Sequence, residues 1–306
     1  MKDHMIGIDV GGTNSRVALL NRNLEIVSKE AALTSDFDTA DVFFKKLREM
    51  VYRVDPDHRA EAIGIVLPAP WTIGKKTITD ATNVPFLEDF EIKKIKYYFE
   101  GYQVYLENDV NVIALLESNY GAAKNSIHSV YITVSTGIGS GIIINNKIYH
   151  GANGYAGEIG SILVGEQDGI SNDPLDYTLE RLCSGKALES RSIAIYGETA
   201  AAVDLFVNYR DGESRAKEVL RVWISNLSSG LAAVTQMMDP DVIVLGGPVI
   251  LNHKWIMEQL KEEIRKKVLG RLAEKVKIAA AEFDAESGLI GAAYYAFEAN
   301  EGRIRV

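Results

Sequence analysis

With 306 residues, 47% hydrophobic and 25% charged, the chain has an ordinary composition for a folded protein and enough material for two domains. Its formal charge of -9 argues against a DNA- or RNA-binding surface but is compatible with a small anionic nucleotide held by local donors. The single cysteine, Cys183, excludes an intrachain disulfide and a cysteine-rich zinc site. With no signal-peptide pattern and no apolar run near roughly 18 residues, a cytoplasmic protein without a membrane span is expected.

Residues 5–20, M-I-G-I-D-V-G-G-T-N-S-R-V-A-L-L, set two apolar runs around a Gly-Gly turn, the pattern of a β-hairpin. Gly11 and Gly12 are expected to leave backbone N–H groups bare for phosphate oxygens, with Thr13 and Asn14 adding polar side chains. Asp9, at the mouth of the turn, can hold Mg²⁺ through water. On this stretch alone an ordinary D-x-G-G hairpin reads equally well. Residues 24–30 alternate as a third strand, 39–54 carry apolar residues at helical spacing, and 62–67 form a short buried strand ending at Pro68, an α/β pattern.

A loop-rich passage from Pro68 to Pro85 follows, then a helix over 90–98 and a brief strand over 104–106. That strand delivers Glu107, Asn108 and Asp109 to its end, ahead of a helix over 110–120. A carboxylate there sits where an open α/β sheet places its ligand crevice. Alternatively, Asn108 or Asp109 simply caps the helix.

The second half repeats this organisation. A strand over 129–134, a glycine-rich turn S-T-G-I-G-S-G at 135–141 and a strand over 142–144 make a second cradle without the Asp. Two such cradles imply a duplicated domain facing one nucleotide. Glu158 lies in a glycine-rich stretch over 154–162, as an acceptor for sugar hydroxyls or as a plain surface-turn acid. Residues 167–174 read as an exposed loop, 179–190 begin a helical region, and 217–238 form a long helix ended by Pro240. The strand over 241–245 runs into Gly246, Gly247 and Pro248, a bare backbone suited to a flat ring or a simple strand-to-helix turn. A helix over 255–267, a strand over 276–280 and a helix over 288–297 complete the chain.

Seven motifs fall in one order: D-V-G-G-T-N at 9–14, N-V-P at 83–85, E-N-D at 107–109, S-T-G-I-G-S-G at 135–141, G-E-I-G at 157–160, E-R-L-C-S-G at 180–185 and L-G-G-P at 245–248. Together they resemble the ROK family of bacterial sugar kinases and sugar-responsive repressors, over essentially the whole chain. The resemblance implies a duplicated actin/hexokinase-like (ribonuclease H-like) α/β ATPase fold with two lobes around a cleft. The N-terminal lobe is expected over 1–117, completed by the C-terminal helix 288–306, and the C-terminal lobe over 118–287.

By the same resemblance, Asp9, Gly11, Gly12, Thr13 and Asn14 belong to the first phosphate loop, and Thr136, Gly137 and Gly139 to the second. Gly246 and Gly247 sit by the adenosine of ATP. Asn83, Asn108 and Asp109 hold the hexose, with Asp109 as general base, and Glu158 and Glu180 bind further sugar hydroxyls. Two departures from the family matter. The cysteine-rich zinc loop is replaced by I-S-N-D-P-L-D-Y-T-L-E at 170–180, and the zinc- and sugar-binding histidine is Ser161, so no zinc is expected.

The function implied is Mg²⁺- and ATP-dependent phosphorylation of a hexose 6-hydroxyl, glucose first. N-acetylmannosamine or a β-glucoside is an alternative that Ser161 leaves room for. A non-catalytic sugar sensor is a second alternative, and a repressor role is disfavoured because only residues 1–4 precede the first hairpin. A homodimer is expected from the resemblance alone.

Overall fold

The computed structural model describes residues 3–164 and 173–304, so the expected loop at 167–174 lies almost wholly outside the described residues. The chain divides into two compact units. The first comprises Met1–Asn119, Lys147–Ala156 and Phe283–Val306, and the second Tyr120–Asn146 and Gly157–Glu282. The division falls at 119/120 and 282/283 rather than at 117/118 and 287/288. The segment Lys147–Ala156 belongs with the first unit, which no composition shift in the sequence announces.

The first unit is built on a five-stranded sheet of order β3-β2-β1-β4-β5. Its strands are β1 (His4–Val10), β2 (Asn14–Asn21), β3 (Ile26–Leu33), β4 (Ala60–Leu67) and β5 (Gln103–Asn108). β1 and β2 form the expected antiparallel hairpin, with Asp9 opposite Arg16, while β4 and β5 run parallel to β1. Helices α1 (Ala40–Val54), α2 (Ile92–Tyr98) and α3 (Asp109–Tyr120) follow β3, precede β5 and follow β5 respectively.

Strand alternation sends Ile6, Ile8 and Val10 to one face of the sheet and Met5 to the other. On the first face they meet Phe43, Phe44, Leu47 and Met50 of α1, all essentially inaccessible. Each such side chain contributes about 1.5–3 kcal/mol on burial. On the opposite face lies α11 (Ser287–Asn300), whose Leu289, Ala293, Ala296 and Phe297 pack on Met5, Ala18, Leu20 and Ala62.

This helix approaches the sheet backbone to backbone. A Cβ on Gly7 would lie 2.2 Å from the Leu289 carbonyl oxygen, and one on Gly64 would lie 1.9 Å from that of Ala292. Glycine at both positions is a steric requirement.

The second unit repeats the plan: its strands run in the order β10-β9-β6-β7, matching β5-β4-β1-β2 of the first. Here β6 (Ser129–Val134) and β7 (Ile138–Ile144) form the antiparallel hairpin, and β9 (Val242–Gly246) and β10 (Ile278–Ala280) run parallel to β6; β8 (Lys147–Ile148) lies in the segment grouped with the first unit. The turn is shorter than expected, because β7 begins at Ile138 and takes Gly139 and Gly141 into the ladder.

The helical region at 179–190 is two helices, α4 (Leu179–Cys183) and α5 (Gly185–Tyr196), separated at Ser184, whose hydroxyl caps α5 by accepting from Ala187 N–H. Next come α6 (Ala202–Arg210), α7 (Ser214–Met238), α8 (Pro248–Leu251), α9 (Ile256–Lys267) and α10 (Gly270–Ala273). The long α7 carries the unit's core through Trp223, Leu227 and Leu231. Trp223 Nε1 donates to the Cys183 carbonyl at 2.8 Å, and burial pushes the Cys183 thiol up to about 12, so this cysteine is a core residue. Among the described residues no helix is long and apolar enough to cross a membrane.

The close approach of α11 gives a direct stability test. Gly64→Ala should destabilise the fold by about 3 kcal/mol or more, because only backbone atoms can yield. Gly270→Ala, where an added Cβ meets nothing within 4 Å, should be neutral or slightly stabilising. Thermal denaturation of the two variants beside the parent checks both; equal midpoints would remove the close-packing argument.

Candidate functional site

In the first unit, the candidate residues gather at the ends of β1 and β5. Asp9 is the penultimate residue of β1. Its carboxylate lies 3.7 Å from Arg16, which in turn lies 3.9 Å from Glu286. Burial raises the Asp9 pKa above the usual carboxylate value; Arg16 opposes the shift and Glu286 adds to it. A Cβ on Gly288, in the first turn of α11, would lie 3.0 Å from the Asp9 carboxyl carbon, so the C-terminal helix forms a wall of this corner.

The Gly11–Gly12 turn differs from its expected form. The Gly11 N–H is not bare; it donates to the Asn14 carbonyl at 3.0 Å and tightens the turn. Thr13 and Asn14 are exposed, and the Thr13 carbonyl accepts from Thr34 N–H at 2.8 Å. Gly12 packs on Asn83, since a Cβ there would come within 3.0 Å of the Asn83 carbonyl oxygen. The N-V-P segment and the first turn are therefore neighbours.

At the end of β5, Asn108 does cap α3. Its Oδ1 accepts from Val110 N–H at 2.9 Å and Asn111 N–H at 3.1 Å, while its Nδ2 donates to the Ala69 carbonyl at 3.2 Å. Asp109 opens α3, and its Oδ1 accepts from Val110 N–H at 2.9 Å, which holds the carboxylate at the helix N-terminus. The capping alternative from the sequence holds for Asn108, whose amide oxygen is used by the cap, and the neighbouring Asp109 carboxylate stands half-buried at the strand end.

In the second unit, five segments meet at the corresponding end of β6. The turn between β6 and β7 closes through Ser135 N–H on the Gly137 carbonyl at 2.9 Å. Glu180, exposed at the start of α4, sends its Oε2 into this turn and accepts from Ile138 N–H at 2.8 Å. A Cβ on Gly137 would lie 2.5 Å from that oxygen, and one on Gly160 would lie 3.4 Å from Glu180 Cβ. Glu180, expected at the sugar, thus touches the turn that was expected to cradle phosphate. Glu158 and Ser161 flank the short 3₁₀ turn Ile159–Ser161, both exposed, with Ser161 N–H donating to the Glu158 carbonyl at 3.2 Å.

Gly246 ends β9, and Gly247, at φ +82°, makes the turn into α8. A Cβ on Gly247 would meet the Val134 carbonyl oxygen at 2.4 Å, so the turn lies directly on the end of β6. Residues the motif reading passed over complete the set. Gly185 N–H donates to the Ser135 carbonyl at 2.7 Å and Lys186 N–H to the Thr136 carbonyl at 3.3 Å, docking the start of α5 on the same turn. In the first unit Arg16 and Glu286 stand beside Asp9, and Glu107, to which its motif gave no role, stands with His150 behind Asn108. No spacing in the sequence links 107 to 150, and only the fold joins them.

Comparison with known proteins places this arrangement. The model of the ROK family matches residues 5–299. An N-acetyl-D-glucosamine kinase of Vibrio parahaemolyticus is 29% identical over 303 residues, covering 94% of this chain and 98% of its own. The crystal structure of a ROK hexokinase from Thermus thermophilus superposes with a TM-score of 0.84 at 30% identity, over 98% of this chain and 99% of the other. That of a ROK family glucokinase from Streptomyces griseus, in complex with glucose and AMPPNP, gives 0.77 at 25% identity over 96% and 99%. A family match over nearly the full length, on a duplicated α/β fold whose glycine turns occupy corresponding places in both units, has one meaning: the chain belongs to the ROK family.

Proposed function

We propose that this chain is an ATP-dependent sugar kinase that transfers the γ-phosphoryl group to the 6-hydroxyl of a hexose, with glucose as first substrate. The chain is a sugar phosphotransferase by the company of its relatives, named as kinases of glucose, hexose and N-acetylglucosamine. The observation that carries the reading is Asp109. It is a carboxylate at the C-terminal end of a parallel strand, oriented by the first N–H of α3 and preceded by a locked Asn108.

Phosphoryl transfer asks the protein for positioning and electrostatic stabilisation more than for covalent chemistry. In this reading Asp109 accepts the proton of the sugar hydroxyl as its oxygen bonds to the γ-phosphorus and the bond to the β-phosphate oxygen breaks. Asn83, Asn108, Glu158, Ser161 and Glu180 hold the sugar. The turns at Gly11–Asn14 and Thr136–Gly139 hold the phosphates, and Gly246–Gly247 the adenosine. Asp9 fits a Mg²⁺ held through water: its buried carboxylate has one guanidinium at 3.7 Å, and that guanidinium is shared with Glu286, so negative charge is left uncompensated. When bound, such an ion supplies neutralisation of the triphosphate charge.

Ser161 supports a second reading, an N-acetylhexosamine as substrate. Serine in place of an imidazole leaves space and removes one hydrogen-bonding group, and a water filling that space keeps glucose equally acceptable. The reading includes no zinc, since residues 173–180 carry no cysteine and Ser161 no imidazole. A homodimer rests on family membership alone.

ADP release with Mg-ATP across glucose, mannose, fructose, N-acetylglucosamine, N-acetylmannosamine and cellobiose should single out one sugar. Asp109→Asn should lower kcat for it by about 10²- to 10⁴-fold while sugar binding, read by calorimetry, stays largely intact. Near-normal turnover in that variant would remove Asp109 from the role, and silence across the panel with binding retained would favour a sensor.

Asp9 gives a pH-dependent stability test. Its folded-state pKa is raised, so above that value the folded protein carries a poorly solvated charge that the unfolded chain carries at little cost. As pH falls through the raised folded pKa, the folded state takes up a proton first and that cost disappears. Asp9→Asn should therefore raise the thermal midpoint at pH 7 in the absence of Mg²⁺. The gain should shrink as pH approaches about 4, while Mg-ATP-dependent turnover is lost. A variant less stable than the parent at pH 7 would contradict the assigned cost.

A further inference from the structure

Directly behind the Asn108–Asp109 junction sits a carboxylate with no part in the mechanism above. Glu107 is fully buried. A buried carboxylate stays ionised only where donors surround it. Its Oε1 accepts from Asn108 N–H at 2.8 Å and from Asn111 Nδ2 at 3.0 Å. Its Oε2 lies 2.7 Å from His150 Nε2, and the Tyr295 hydroxyl hydrogen-bonds the same carboxylate. Burial first, and the Glu107 charge second, drive the Tyr295 pKa up, so this phenol keeps its proton and donates. His150 Nε2 completes the hydrogen-bonding set around this carboxylate.

An apolar group would fill this volume without desolvating a charge. What the carboxylate adds is direction: its bonds fix the N–H of Asn108 and the side chain of Asn111, in the first turn of α3. The segment supplying His150 is itself pinned. A Cβ on Gly154 would meet the Trp71 carbonyl oxygen at 2.7 Å, and the Tyr155 hydroxyl bonds Asp80. Asn108 Nδ2 reaches Ala69 in that same loop at 3.2 Å. The strand end, the loop after β4 and the segment Lys147–Ala156 thus close a ring within the first unit, and the His150–Glu107 bond is its charged link.

We propose that His150 is a positioning residue for phosphoryl transfer, acting through Glu107 to fix the direction in which Asn108 and Asp109 leave β5. The proposal rests on Asp109 being the general base. A misaimed base loses near-attack geometry, so the cost falls on kcat more than on sugar affinity.

The test is steady-state kinetics of the full chain with the sugar that the parent turns over. His150→Leu should lower kcat by about 10- to 100-fold with little change in the sugar KM. His150→Gln, whose side-chain amide can donate where Nε2 does, should recover most of that loss, with thermal midpoints confirming that both variants fold. In an Asp109→Asn background, His150→Leu should cost little more, since both act on one step.

Parental kcat in His150→Leu, equal losses in the Leu and Gln variants, or full additivity with Asp109→Asn would each overturn the positioning role. A parent silent with every sugar overturns the kinase reading and the proposal together. That result is distinct from an active parent with an indifferent His150.

Discussion

The first unit depends on helix α11 lying backbone against backbone on β1 and β4. Gly7 and Gly64 leave no room for a methyl group under the Leu289 and Ala292 carbonyls. Such contact substitutes dense packing for side-chain burial along the centre of the sheet. It also sets the chemistry, because the same helix starts with Gly288 against the Asp9 carboxyl and carries Tyr295 to Glu107. A segment from the end of the chain thereby touches both strand ends on which the candidate site is built. A side chain at Gly64 would lift α11 from the sheet and loosen both corners, so packing and function are not separable here.

The two units share a plan and differ where charge is concerned. Each has an antiparallel hairpin flanked by parallel strands, in the same order relative to the hairpin. In the first, the hairpin ends in a carboxylate, Asp9, held close to the turn. In the second the corresponding strand has none, and Glu180 of α4 reaches into the turn and accepts from Ile138 N–H.

Much of this was legible beforehand because it is periodic or local. The hairpins, helix α1, the long α7 and the β9–glycine turn follow from period and punctuation. Asn108 was legible as a cap because capping is decided within three residues. The start of β7 was not, because Gly139 and Gly141 look like turn residues and join the ladder only through pairing with β6. Nor was the break at Ser184, where a single hydroxyl cap divides an apparently continuous helical pattern. His150 is the deepest case: its role exists only once residues 147–156 fold onto the first unit, a long-range event that leaves no local spacing.

Asp9 and Glu107 stand near the ends of two parallel strands of one sheet, on either side of β4, and are treated in opposite ways. Glu107 is supplied with four donors from the backbone, Asn111, His150 and Tyr295, a number that matches the acceptor sites of a carboxylate. Asp9 has one guanidinium at ion-pair distance, itself shared with Glu286, and burial leaves its charged form disfavoured. A saturated carboxylate has no capacity left for a ligand and serves to orient what lies next to it. An undersupplied one is destabilised until something positive arrives, and that difference in free energy becomes available to binding. Two acids at similar positions along their strands are therefore told apart by counting donors. On that count Glu107 belongs to the scaffold, and Asp9 is the acid suited to the Mg-ATP contact proposed for it.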